Sequence, residues 1–105
     1  MSYKSHLTPA YKQYLKSPQW QAKRELWFAR YGKWCRGCGR RTGPIQLDHM
    51  VYDRLYHEAL TDMIAFCPPC HREKESFHYK LGRRTDGKVA AMKFIAMKKA
   101  KRKSL

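Results

Sequence analysis

Two cysteine pairs, Cys35-Arg36-Gly37-Cys38 and Cys67-Pro68-Pro69-Cys70, constrain this chain more tightly than any other part of its sequence. They lie far apart in the chain, each has a two-residue spacer, and each is set among turn-forming residues. Tetrahedral zinc takes four thiolates, and a C-x-x-C knuckle folds around the ion with backbone N–H groups facing the sulfurs. Four thiolates fill the coordination sphere, so the pattern predicts a structural Zn²⁺ site; a redox dithiol or an iron–sulfur cluster are the other uses of this spacing. A disulfide frame would be expected in an exported chain. Here the stretch from Met1 to Lys16 has no apolar signal-like core, and no run approaches the roughly 20 apolar residues of a membrane span. The expected setting is cytoplasmic, with no membrane partner.

A chain of 105 residues holds one small domain with appendages, and a metal staple supplements so small a core. Pro9 to Lys16 reads as a short helix. Ser17 and Pro18 then supply an N-cap and an N1 proline for a longer one that ends at Gly32. Its Trp20, Arg24, Trp27, Phe28 and Tyr31 recur along one helical face, a stripe that belongs to the core more readily than to base stacking. After the first knuckle, Arg40 to Pro44 is a turn and Ile45 to Met50 alternates like a strand. Met63 to Phe66 is a second short strand leading into the second knuckle, and a helix runs from about Pro69 to Leu81. The fold class is therefore α+β: a ββα unit preceded by a helix and tied by two knuckles. Leu81 to Gly87 reads as a linker, and Lys88 to Lys103 as a basic helix with Val89, Met92, Ile95 and Ala96 on one side. The domain reading is an N-terminal extension over 1–16, a central domain over 17–81, and a linker with a basic helix or tail over 82–105.

The chain carries a formal charge of +15, which makes a polyanionic partner the first expectation. The charge is uneven. Between Asp48 and Glu75 stand six acids (Asp48, Asp53, Glu58, Asp62, Glu73, Glu75) against three bases (Arg54, Arg72, Lys74). Basic flanks suit phosphates, through counterion release, while an acidic window suits a hard divalent cation. Candidate DNA contacts are Arg40 and Arg41 in the first turn, Arg83 and Arg84 in the linker, and Lys98, Lys99, Lys101, Arg102 and Lys103 at the end.

The chemistry is expected inside the acidic window. If the ββα unit forms, the knuckles bring together Asp48 and His49 at one strand end, Asp62 before the other strand, and His71 directly after the last cysteine. Glu75 follows one helical turn beyond His71. A carboxylate and an imidazole sharing a divalent ion, beside a second imidazole able to take a proton from water, suit phosphodiester hydrolysis. These residues also resemble a known family, the HNH (His-Asn-His) endonucleases of the ββα-metal fold. The resemblance runs from Tyr14–Trp20 through Cys35-x-x-Cys38-Gly39, Leu47-Asp48-His49, Tyr52-Asp53-Arg54-Leu55, Glu58 and Cys67-x-x-Cys70-His71, about two-thirds of the chain. It implies His49 as general base, Asp48 and His71 as ligands of a catalytic divalent ion, and the four cysteines as a structural zinc site. The family's middle position falls on Asp62, where many members have Asn and where Asp holds the loop or touches the metal. Glu75 stands where related sequences often have a second His, and a carboxylate there favours Mg²⁺ or Mn²⁺ over a second zinc.

The expected function is a metal-dependent DNA endonuclease that nicks or cuts DNA, alone or as a homodimer or part of a larger assembly. The alternative from another class is a non-catalytic zinc-knuckle module that binds DNA or RNA. An adaptor for an acidic protein is a third reading.

Overall fold

Local sequence signals set the helix starts. The computed structural model describes residues 8–82 and 84–103, in two units, 1–32 and 33–105. In the first, α1 (Pro9–Leu15) begins at Thr8, whose hydroxyl accepts from the Tyr11 N–H, with Pro9 in the first turn. Ser17 then serves both helices: its Oγ donates to the Tyr14 carbonyl at 2.6 Å and accepts from the Trp20 N–H that opens α2 (Pro18–Tyr31). Helix α2 stops at Gly32, whose φ of 92° is costly for a residue with a Cβ. Trp20 and Trp27 are buried, while Tyr31 at the end of the same stripe is exposed. Trp27 packs against Phe28 at 5.7 Å and Tyr31 at 4.9 Å.

The second unit is built on one short hairpin. Strands β1 (Gln46–His49) and β2 (Met63–Phe66) pair antiparallel, with Leu47 opposite Ala65 and His49 opposite Met63. A bond from the Met50 N–H to the Asp62 carbonyl extends the ladder to a single 3₁₀ turn, Leu60–Asp62. In β1 the side chains alternate between the two faces of the sheet, so Asp48 and His49 point opposite ways although they are neighbours. Cys67 ends β2 and occupies the N-cap position of α3 (Pro68–Leu81), so the second knuckle is the first turn of that helix.

The described residues of the stretch expected to be a linker are hydrogen-bonded on both sides of position 83. Gly82 caps α3 at φ 113°, His78 Nε2 meets the Thr85 carbonyl at 2.9 Å, and the Asp86 carboxylate accepts from the N–H groups of Lys88 and Val89. Helix α4 (Gly87–Lys103) then packs back onto the hairpin and α3. Its Ala90, Ala91 and Phe94 are fully buried, and the Phe94 ring lies edge-on to Phe66 at 5.6 Å and 5.7 Å from Phe77. Gly87 makes this approach possible, because a Cβ there would fall 1.6 Å from the Met50 carbonyl oxygen. The expected helix is thus the closing layer of the core, but its buried side is that of Ala90, Ala91 and Phe94, whereas Val89 and Met92, expected on its apolar side, are exposed. Among the described residues, no helix is long and apolar enough to cross a membrane.

Candidate functional site

The four cysteines converge although 29 positions separate Cys38 from Cys67 in the chain. Their sulfur atoms all lie within 4.8 Å of one another, and Cys38 Sγ stands 3.8 Å from Cys67 Sγ. Zinc–thiolate bonds of about 2.3 Å in a tetrahedron put sulfurs about 3.8 Å apart, so the donor set and its spacing fit a zinc ion. The N–H groups of Gly37 and Cys38 point at Cys35 Sγ at 3.3 and 3.5 Å. Gly37 is needed for closure: a Cβ there would meet Cys70 Sγ at 2.9 Å. Burial works against the Cys35 thiolate, but backbone N–H groups of Cys38, Cys67 and Gly37 outweigh it and lower its pKa to about 7. Burial and the neighbouring Cys35 push Cys70 well up, and burial raises Cys67. Such crowding of thiols in one pocket is what a divalent cation reverses.

Directly beside this cluster, Asp48 from β1 and His71 and Glu75 from α3 form a second group whose ligand atoms lie within 4.8 Å. His71 Nε2 is 3.3 Å from Asp48 Oδ1 and 3.8 Å from Glu75 Oε1. The knuckle creates this juxtaposition, since fixing Cys70 at the helix start points the next side chain across to β1. Burial opposes the charge on Asp48, but the His71 hydrogen bond and Lys74 overcome it and lower its pKa. The same hydrogen bond raises that of His71. One member of the group was not foreseen from sequence: Lys74, almost wholly buried, reaches Asp48 Oδ2 at 3.3 Å and Glu75 Oε1 at 3.2 Å. Burial disfavours its charge, yet the two carboxylates raise its pKa. Its spacing from His71 on α3 was the available signal, hidden because a lysine in an exposed-looking helix normally faces water.

His49 is not in that group. Its Nε2 lies 2.6 Å from Glu58 Oε2, both side chains are 1% exposed, and the Tyr52 ring stacks on the imidazole at 5.1 Å. Asp62 is also apart from the Asp48 group. It holds the loop between the strands: Arg54 Nε and Nη2 reach its two oxygens at 3.0 and 2.5 Å, the Ala59 N–H donates at 3.0 Å, and Lys88 Nζ stands at 3.3 Å. The Arg54 hydrogen bonds lower its pKa to about 2. A depressed carboxyl stabilises the fold above its unfolded value of about 4 and loses that contribution only as pH falls towards 2, so the pair is charged wherever cysteines can hold a metal. Asp62→Ala leaves the part-buried Ala59 N–H and two largely solvated cations without their acceptor, and urea titration should show a loss of about 1 to 3 kcal/mol. A loss within error of zero would mean that the loop is held some other way.

The expected DNA contacts divide. Arg40, Arg41, Arg84, Lys99 and Lys101 are exposed. Lys98 pairs with Glu73 at 3.0 Å, and Arg102 donates to the Gly37 carbonyl, so these two fasten α4 to α3 and to the first knuckle. Arg83 and the side chain of Lys103 lie outside the described residues. The sequence reading passed over Trp34, whose ring has the Arg36 guanidinium 3.8 Å and that of Arg41 5.6 Å from its centroid.

Compared with protein-family models, with curated proteins and with solved structures, the chain matches none of them.

Proposed function

We propose that this protein is a metal-dependent DNA endonuclease of the HNH type, with structural zinc in the four-cysteine cluster and a divalent ion held by Asp48 and His71, with Glu75 beside them. The observation that carries the reading is the convergence of Asp48 with His71 at 3.3 Å, from two elements pinned together at the cysteine cluster. A carboxylate, an imidazole and a second carboxylate form a donor set for a hard to borderline cation such as Mg²⁺ or Mn²⁺. The overall charge of +15 and the arginine–tryptophan patch beside the first knuckle supply the attraction for a polyanion. When bound, the ion supplies neutralisation of charge on the phosphate and on the leaving oxygen. The imidazole of His49 takes a proton from water as the water oxygen bonds to phosphorus. The bond from phosphorus to the 3′ oxygen breaks, that oxygen takes a proton from solvent, and the imidazolium returns its own to solvent. Because the ring is 1% exposed, this role requires the loop over 50–59 to yield an edge of the imidazole to the substrate.

That same burial favours the second reading, a zinc-knuckle module that binds nucleic acid without cutting it, in which His49 and Glu58 only fasten the loop. Supercoiled plasmid separates the two. Incubation of the purified protein with Mg²⁺, Mn²⁺ or Ni²⁺ should relax the plasmid, and omission of the ions should prevent this. Tight binding with intact strands under every ion would replace the nuclease with the module.

A further inference from the structure

Lys74 differs from the rest of the Asp48 group in offering no lone pair to a metal, since an ammonium only donates. It also lies on the group's inner side. Its side chain is 4% exposed, against 33% for His71 and 36% for Glu75, so an ion from solvent reaches the group past His71 and Glu75 while the ammonium closes it from within. Lys74 Nζ meets Asp48 Oδ2 at 3.3 Å and Glu75 Oε1 at 3.2 Å, whereas Asp48 Oδ1 faces His71 Nε2 at 3.3 Å. The two oxygens of Asp48 are thus divided between the ammonium and the imidazole. A lysine on the surface would swing into water as a cation arrived; here the stem is enclosed and keeps the charge where it is.

We infer that Lys74 is a positioning residue that holds Asp48 and Glu75 together before an ion arrives and keeps the ion's own affinity low, so that a divalent ion and a phosphodiester bind tightly only as a pair. This rests on the reading that Asp48, His71 and Glu75 hold a divalent ion. The argument is one of charge. Two carboxylates and one ammonium leave this group a single negative charge, so a divalent ion turns it singly positive and a phosphodiester brings it to neutrality. Without the ammonium, the ion alone would neutralise the two carboxylates. Lys74 acts on the ion in two opposed ways, by holding its ligands in place and by repelling it. Repulsion is the larger effect, because the ion carries twice the charge of the ammonium and can draw the carboxylates together itself. A bound phosphodiester relieves that repulsion, and by linkage the ion strengthens phosphodiester binding by the same factor.

The test is Mn²⁺ binding to the zinc-loaded full chain, followed by electron paramagnetic resonance at fixed pH and ionic strength. It is run with and without a short duplex whose phosphorothioate linkages keep the charge and slow hydrolysis. Wild type should bind Mn²⁺ weakly alone and about tenfold or more tightly with the duplex. Lys74→Met should bind Mn²⁺ about tenfold or more tightly than wild type without the duplex, and the duplex should then add less. A lysine that only held the helix in place would give the opposite sign, since its loss would disorder the ligands. Unchanged or weaker Mn²⁺ binding by Lys74→Met therefore overturns the inference while leaving the ion site standing, as would equal coupling to the duplex in both proteins. If Lys74→Met does not fold, Glu75→Gln and the double variant Lys74→Met/Glu75→Gln carry the same comparison, the double variant restoring the group's net charge. The double variant should bind Mn²⁺ more tightly than Glu75→Gln, and equal affinities overturn the inference. Absence of bound Mn²⁺ from every protein, with and without the duplex, removes the ion-site reading and the inference with it.

Discussion

Removing the zinc expected in the four-cysteine cluster with a strong chelator should unfold the 33–105 unit. Structural zinc contributes about 10 to 16 kcal/mol in zinc-finger peptides, and whole domains are stable by only about 5 to 15 kcal/mol. The hairpin of this unit has four residues per strand, and the cluster ties its first loop to the start of α3. Besides the cluster, the Arg36 N–H donates to the Ala65 carbonyl at 3.0 Å and Arg102 donates to the Gly37 carbonyl. Cys35, Cys67 and Cys70 are buried and Cys38 is exposed, so serine at Cys38, where water can reach the ion, should be the mildest of the four replacements. Zinc uptake at neutral pH should release protons, chiefly from Cys67 and Cys70, whose thiols are raised. Those protons compete with the metal, so apparent affinity falls as pH falls. Circular dichroism during chelation, with elemental analysis of the same sample, checks the expectation. Metal-free protein that keeps its helices and cooperative melting would overturn it.

The second large effect is on cleavage. Loss of the His49 imidazole should lower it by about 100-fold or more, and no concentration of divalent ion should restore it. The structure selects the variant: His49→Ala would leave the Glu58 carboxylate buried beside a cavity, so some loss of stability must accompany it. His49→Gln keeps a hydrogen-bond donor for Glu58 and isolates the chemical step. Asp48→Asn should differ in kind. It weakens a proposed metal ligand while keeping an acceptor near Lys74, so activity should recover in part as Mn²⁺ or Mg²⁺ is raised. Plasmid relaxation by the three variants across a metal series, with DNA affinity measured in parallel, tests both. Full cleavage by His49→Gln would move the proton acceptor elsewhere and with it the case for an enzyme.

Local chemistry made much of the architecture legible. Ser17-Pro18 before α2, glycine after it, alternation over 45–50 and the apolar run over 63–66 act through the chain's own nearest neighbours, so the sequence alone determined the type and approximate place of these helices and strands. The knuckles are legible for the same reason: two cysteines across a two-residue turn form one half of a site, and two halves make a tetrahedron. Juxtaposing Asp48, His71 and Glu75 required only the hairpin and the knuckle at the start of α3. What only the tertiary structure decided depends on groups that nothing in their own segment distinguishes. Gly87 looks like a linker residue until the Met50 carbonyl is set against it, and Phe94 lies off the apolar side read for the last helix until it meets Phe66 and Phe77. Lys74 is an ordinary helical lysine until Asp48 arrives from another element. His49 and Glu58, nine residues apart, become a buried pair through the fold of the loop that the Arg54–Asp62 bridge also ties down. Burial is a property of what packs on top, and a linear sequence does not state what packs on top.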